Sequence, residues 1–105
     1  MAFIDPDNPL AVEILREAAE SYFAACRKMV DSLEALRAFD RAVASSAYDD
    51  KQVTRRSQLL DDAAERVYFV LVQRDAMQLS GSATFLDDYG VPAEVVARMG
   101  QRQRK

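Results

Sequence analysis

Gln73, Arg74 and Asp75 form the most pointed polar cluster in this sequence of 105 residues, directly after six apolar residues in a row. An arginine so placed can hold an anionic ligand or a partner's carboxylate with its planar fork of donors. The plainer reading has the Arg74 stem covering apolar surface while its head pairs with an acid such as Asp87 or Asp88, and the plainer reading is favoured. Catalytic chemistry finds little else to work with. The chain has no histidine, which removes the commonest metal ligand and the usual general base. Carboxylate-bridged di-metal bundles, which need Glu-x-x-His pairs, are thereby excluded. The paired aspartates at 49/50, 61/62 and 87/88 read as helix caps and solvated faces, because hard cations need convergent oxygens. No glycine-rich phosphate loop is present. Cys26 falls on an apolar stripe, where a free cysteine acts as a small buried hydrophobe, and it has no base to activate it. The chain is therefore read as non-enzymatic, with no catalytic residue, no metal and no cofactor.

Composition sets the class. Half the residues are apolar, 30% are charged, and there are three Gly and three Pro, as in a single helical globular domain. No apolar run reaches the roughly 20 residues that span a bilayer, and MAFIDPDNPL lacks the features of a secretory leader. A lone cysteine rules out an internal disulfide framework, so the expected compartment is the cytoplasm. The formal charge of −3 is unevenly distributed: residues 98–105 hold four bases and no acid, and residues 1–97 hold ten bases and seventeen acids, a net −7. An acidic body argues against a broad nucleic-acid surface. The polar faces are mixed or acidic, which also argues against a membrane-surface role.

The element that must position the polar cluster is the stretch 59–79. Its core, residues 67–72, reads Val-Tyr-Phe-Val-Leu-Val, and such a run suits a buried strand as well as a buried helix. The flanks decide. Leu59, Leu60, Ala63, Ala64 and Val67 recur at three- and four-residue steps, and no Gly or Pro interrupts residues 51–80. One long helix over 54–79 is predicted, apolar on all sides for more than a turn.

Upstream, Asn8 and Pro9 offer an N-cap and a first helical residue for a helix over 9–44. Its stripe of Tyr22, Cys26, Met29, Leu33, Leu36, Asp40, Val43 and Ala47 alternates steps of four and three, a heptad seam broken only by Asp40. Polar residues 45–53 then require two antiparallel helices, and the connection is shorter if the second helix starts near Asp49 or Asp50 instead of Thr54. Counting outward from the turn sets Asp40 level with Leu59 and Cys26 level with Arg74, with Asp40 in reach of Arg55 or Arg56. Downstream, a short helix over 82–89, capped by Ser82, and another over 92–99, stopped by Gly100, are predicted, followed by a basic tail at 100–105. Residues 86–99 have the spacing of a helix-turn-helix core. The outward positions Ala93, Glu94, Ala97 and Arg98 are poor for reading DNA, and Asp87 and Asp88 would face phosphates.

The segments Leu-Arg-Ala-Phe-Asp (36–40), Ala-Ala-Glu to Gln-Arg-Asp (63–75) and Tyr-Gly-Val-Pro-Ala-Glu-Val-Val-Ala-Arg-Met-Gly (89–100) together resemble a family of small, uncharacterised, helical bacterial proteins, a domain of unknown function. The likeness covers most of the chain. It implies an all-helical fold in a bacterial cytoplasm and brings no activity and no site residues.

The expected fold is all-α: a long antiparallel hairpin with two short C-terminal helices, closing as a homodimeric four-helix bundle. The expected interface is Val67, Phe69, Val70 and Leu71; the candidate polar site is Gln73, Arg74 and Asp75. The expected function is protein–protein interaction by a cytoplasmic homodimer, with another protein as a further partner. The alternatives are a small DNA-binding regulator using residues 82–105 and a small-ligand binder with a cavity in the bundle core near Arg74.

Overall fold

A computed structural model describes residues 7–44 and 48–103. It contains four helices, α1 (Pro9–Val43), α2 (Asp50–Ala76), α3 (Ser82–Asp88) and α4 (Ala93–Gln103), and no strand among the described residues. The all-helical expectation holds, and several boundaries differ from those predicted.

Helix α1 begins as its sequence suggests. Asn8 is extended, its side chain accepts from the Leu10 and Ala11 amides, and Pro9 occupies the first turn, where its missing N–H costs nothing. Helix α2 starts at Asp50, the earlier of the two starts the sequence allows, rather than at residue 54, because Asp49 forms a capping box with Gln52. The Asp49 carboxylate accepts from the Gln52 amide at 2.8 Å, and the Gln52 side chain accepts from the Asp49 amide at 2.9 Å. The helix ends at Ala76, three residues early, where Gln78 takes a left-handed φ of 61°. Ser82 does not cap α3. That role falls to Gly81 at φ 80°, with no side-chain bond. Nor does Gly100 stop α4, which continues to Gln103. The predicted tail is thus helical backbone through 103; Arg104 and Lys105 lie outside the described residues, as does Ala47 of the seam.

The two long helices are strictly antiparallel. Asp40 meets Arg56 and Tyr22 meets Arg74, so each helix advances by the same eighteen residues between the two contacts. Asp40 therefore sits about one turn away from the predicted level of Leu59. The seam turns inward as expected: Cys26, Met29, Leu33, Leu36 and Val43 are buried, and they meet Leu59, Leu60, Ala63, Ala64, Val67 and Val70 of α2. Phe85, Val95 and Met99 complete this core from α3 and α4. Because α4 lies on α2, Val67 and Val70 are 0% exposed within one chain. These two were assigned to the dimer interface from the sequence, and the structure places them in the interior instead. The band at 67–72 had been expected to exceed what one chain hides. The second helix pair hides half of it.

The α3–α4 turn is clasped to α1. The Arg37 guanidinium donates from Nη2 to the carbonyls of Tyr89 and Gly90, at 3.1 and 3.0 Å. Gly90 has φ 62°, and a Cβ there would sit 3.3 Å from the same Nη2, so both conformation and space require glycine. The whole molecule is an elongated rod of 60 × 26 × 23 Å.

Candidate functional site

Gln73, Arg74 and Asp75 follow one another on α2 and point to three different places. Gln73 reaches back to α1, where its Nε2 donates to the Ser21 hydroxyl at 3.2 Å, while its Oε1 is buried without a partner. Arg74 turns into the junction of α1, α2 and α3. Its Nη1 donates to the Tyr22 hydroxyl at 2.9 Å and its Nη2 to the Ser80 carbonyl at 2.7 Å. The guanidinium carbon lies 4.4 Å from the centre of the Phe85 ring, a cation–π distance. Asp75 borders a shallow apolar cleft between α2 and α4, beside Tyr68, Leu71, Val72, Val96 and Met99. The cluster predicted from adjacency is not one site.

Arg74 is a structural clamp. Its head pairs with neither Asp87 nor Asp88, as the sequence had suggested, but with a phenol, a main-chain carbonyl and an aromatic face. Burial pushes the Tyr22 hydroxyl above its ordinary pKa, Arg74 pulls it back, and the adjacent Cys26 thiol adds to the rise. Cys26 itself is buried in the core. Replacing Arg74 with Met keeps the stem and removes both charge-assisted bonds, so we expect a loss of about 1–2 kcal/mol by urea denaturation. The loss should be accompanied by faster amide exchange in α3.

A second polar cluster, at the turn end, was only half legible. Arg56 donates from Nε and Nη2 to Asp40 at 2.8 and 3.1 Å, as the spacing allowed, and also from Nη1 and Nη2 to Glu94 at 2.7 and 3.0 Å. One guanidinium thus grips a carboxylate from α1 and another from α4. Hydrogen bonds from Arg56 hold both carboxyls below their ordinary pKa values, and the two carboxylates raise that of Arg56. Asp40, which looked like a flaw in the seam, is the polar anchor of the hairpin. Asp40→Leu is therefore expected to destabilise the fold by about 1 kcal/mol rather than stabilise it, the loss staying modest because Arg56 keeps Glu94; a calorimetric melt measures it.

The same packing bears on the helix-turn-helix resemblance of α3 and α4. Arg98, expected to face outward, donates to Asp61 of α2 at 2.8 Å and approaches the Ser57 hydroxyl. Glu94 is taken by Arg56. With both side chains bonded to α2, the other described exposed positions of α4 are Ala93, Val96, Ala97, Gly100 and Gln101, none of them a cation to meet phosphate. Among the described residues no three metal-ligating side chains converge, and no helix is long and apolar enough to cross a membrane.

The outer side of α2 carries an apolar patch. Tyr68, Phe69 and Val72 project from the outer side of α2, with Phe69 53% exposed, while Leu71 is half-buried against the core. Phe69 lines a cleft between α1 and α2 together with Ser21, Ala24, Lys28 and Arg66. The cleft continues toward the turn past Asp31, Ala35, Arg55 and Leu59. Of the four interface residues expected from sequence, Phe69 alone lies fully on this surface. The signal that would have found its neighbours is the second apolar stripe of α2, 68-69-72, offset from the buried 63-67-70 stripe. No protein-family model, curated protein or solved structure matches the chain.

Proposed function

We propose that the protein is a non-enzymatic, cytoplasmic helical protein that works through protein–protein contact, and that its first partner is a second copy of itself. The observation that carries this reading is the exposed Tyr68-Phe69-Val72 patch on a helix whose other stripe is already in the core. Scattered apolar residues on a surface need no explanation, but contiguous aromatics beside a cleft mark a contact. Two α1–α2 hairpins meeting on this side form a four-helix bundle, the architecture anticipated from the sequence, with Phe69 at the contact in place of Val67 and Val70. A twofold arrangement presents the same surface from both chains. The anchor at Arg56 is satisfied by the chain's own residues, and at Arg74 both terminal nitrogens are, its Nε alone being buried without a partner, so neither guanidinium head is free to meet a small ligand.

Phe69→Asp tests the proposal. Sedimentation equilibrium over the micromolar range should give about twice the mass of one chain for the parent and a single chain's mass for the variant. Because Phe69 is an outward residue, the variant should melt within about 0.5 kcal/mol of the parent when both are dilute enough to be single chains. A parent that sediments as one chain throughout would refute the proposal.

A further inference from the structure

We infer where the second copy lies: its α1 runs antiparallel along the outer face of this chain's α1, in one register. The placement rests on the self-association proposed above and adds its geometry. Helix α1 carries two seams. The inner one packs on α2. The outer one reads Leu10, Ile14, Glu17, Ser21, Ala24, Lys28, Asp31 and Ala35, with steps of four and three that never miss, the spacing of a helix that lies along another helix. All but half-buried Ala24 are exposed. The seam from Ser21 to Ala35 is the α1 wall of the two clefts described above.

Among the described residues, the first part of the seam also has no second helix beneath it. The antiparallel register sets Ala76, the end of α2, level with Glu20, so residues 9–19 extend past the hairpin. Leu10 is 68% exposed and Ile14 58%. A free helical arm of eleven residues is marginal in water; it needs a surface to lie on.

A second copy supplies that surface with matched chemistry. In an antiparallel twofold pair the seam meets its own reverse, so Leu10 opposes Ala35 of the other copy, Glu17 opposes Lys28, and Ser21 opposes Ala24. Large faces small, and acid faces base. Neither Glu17 nor Lys28 has an ion-pair partner among the described residues. The overlap from residue 10 to residue 35 is about 39 Å long, enough for a standard-size interface. It places the arm of one copy along the cleft past Asp31 and Ala35 in the other, with its last residues, from Glu17 on, at the end that Phe69 lines. One position is mismatched: Ile14 opposes Asp31.

The test exploits the twofold axis. Glu17→Lys sets like charges opposite each other twice per dimer, as does Lys28→Glu. Each variant alone should raise the dimer dissociation constant about tenfold in sedimentation velocity, with the helical circular dichroism unchanged. Mixing the two single variants should restore association to the parent level, because every pair across the mixed dimer is again opposite in charge. Asp31→Leu should tighten the dimer. A parent dimer indifferent to both charge reversals, or a mixture no tighter than its components, would overturn this register and leave self-association standing. A monomeric parent would overturn both.

Discussion

Val67→Asp abolishes cooperative unfolding near room temperature, whereas Phe69→Asp, two residues along the same helix, does not. Val67 is wholly buried between α1, α2 and α4, and Phe69 faces outward. A carboxylate at 67 must either be protonated or drag water into a core that has no polar partner for it, which costs several kcal/mol. The site also loses the packing of the isopropyl group. Domains of this size hold only about 5–15 kcal/mol in all, so the variant should be largely unfolded at 37 °C, with a shallow melt by circular dichroism. Met29→Ala probes the same core more gently and should cost about 2–5 kcal/mol through lost burial and the cavity left behind. A sharp Val67→Asp melt within a few degrees of the parent would mean that α4 does not cover α2 as described.

The second large effect belongs to Arg56. Asp40 and Glu94 have pKa values depressed by hydrogen bonds from this guanidinium. A carboxyl whose pKa is lower in the folded chain than in the unfolded one contributes stability above its unfolded pKa, and loses it as pH falls through the folded value. Arg56 stays charged throughout and does not titrate in this range. The parent should thus lose stability on acidification below about pH 4, as the two carboxyls take up protons. Arg56→Met removes the cause. At pH 7 it should cost about 1–2 kcal/mol, a charge-assisted network discounted because both carboxylates are substantially exposed. The gap between parent and variant should narrow as pH falls below the ordinary carboxylate range and close once both carboxyls are protonated. Urea titrations across that window measure it, and a gap independent of pH would show that Arg56 acts through its packing alone.

These predictions separate what local spacing reveals from what it does not. The inner seam of α1 was readable because burial at 26, 29, 33 and 36 leaves a period in the chain itself. The start of α2 was harder: Asp49 and Gln52 form their capping box with a spacing that also suits a loop. The double role of Arg56 was hidden for a different reason. Its Asp40 contact spans sixteen residues across one turn, but its Glu94 contact spans thirty-eight and depends on how α4 docks. Arg98 was misjudged for the same cause, since an arginine drawn on a helical wheel faces outward until a neighbouring helix supplies Asp61. Val67 and Val70 were called interface residues because a hairpin alone cannot cover them. The missing cover was α4, whose core residues Val95 and Met99 fall inside the predicted helix but whose docking on α2 leaves no mark in local spacing. Gln73, Arg74 and Asp75 were grouped by adjacency, yet consecutive helical residues diverge by about 100°, and the fold sends them apart.

The clasp at Arg37 touches the α3–α4 connection only through main-chain oxygens, which every residue type possesses. The exposed side chains of Asp87 and Asp88 just before that connection are therefore free to be exchanged, provided Gly90, the loop length, Tyr89 on the Phe85 ring and Val91 against the core are kept. For anyone wishing to display a foreign peptide or a chemical handle on this rod, positions 87 and 88 offer a mounting point that the scaffold holds without reading what is mounted there.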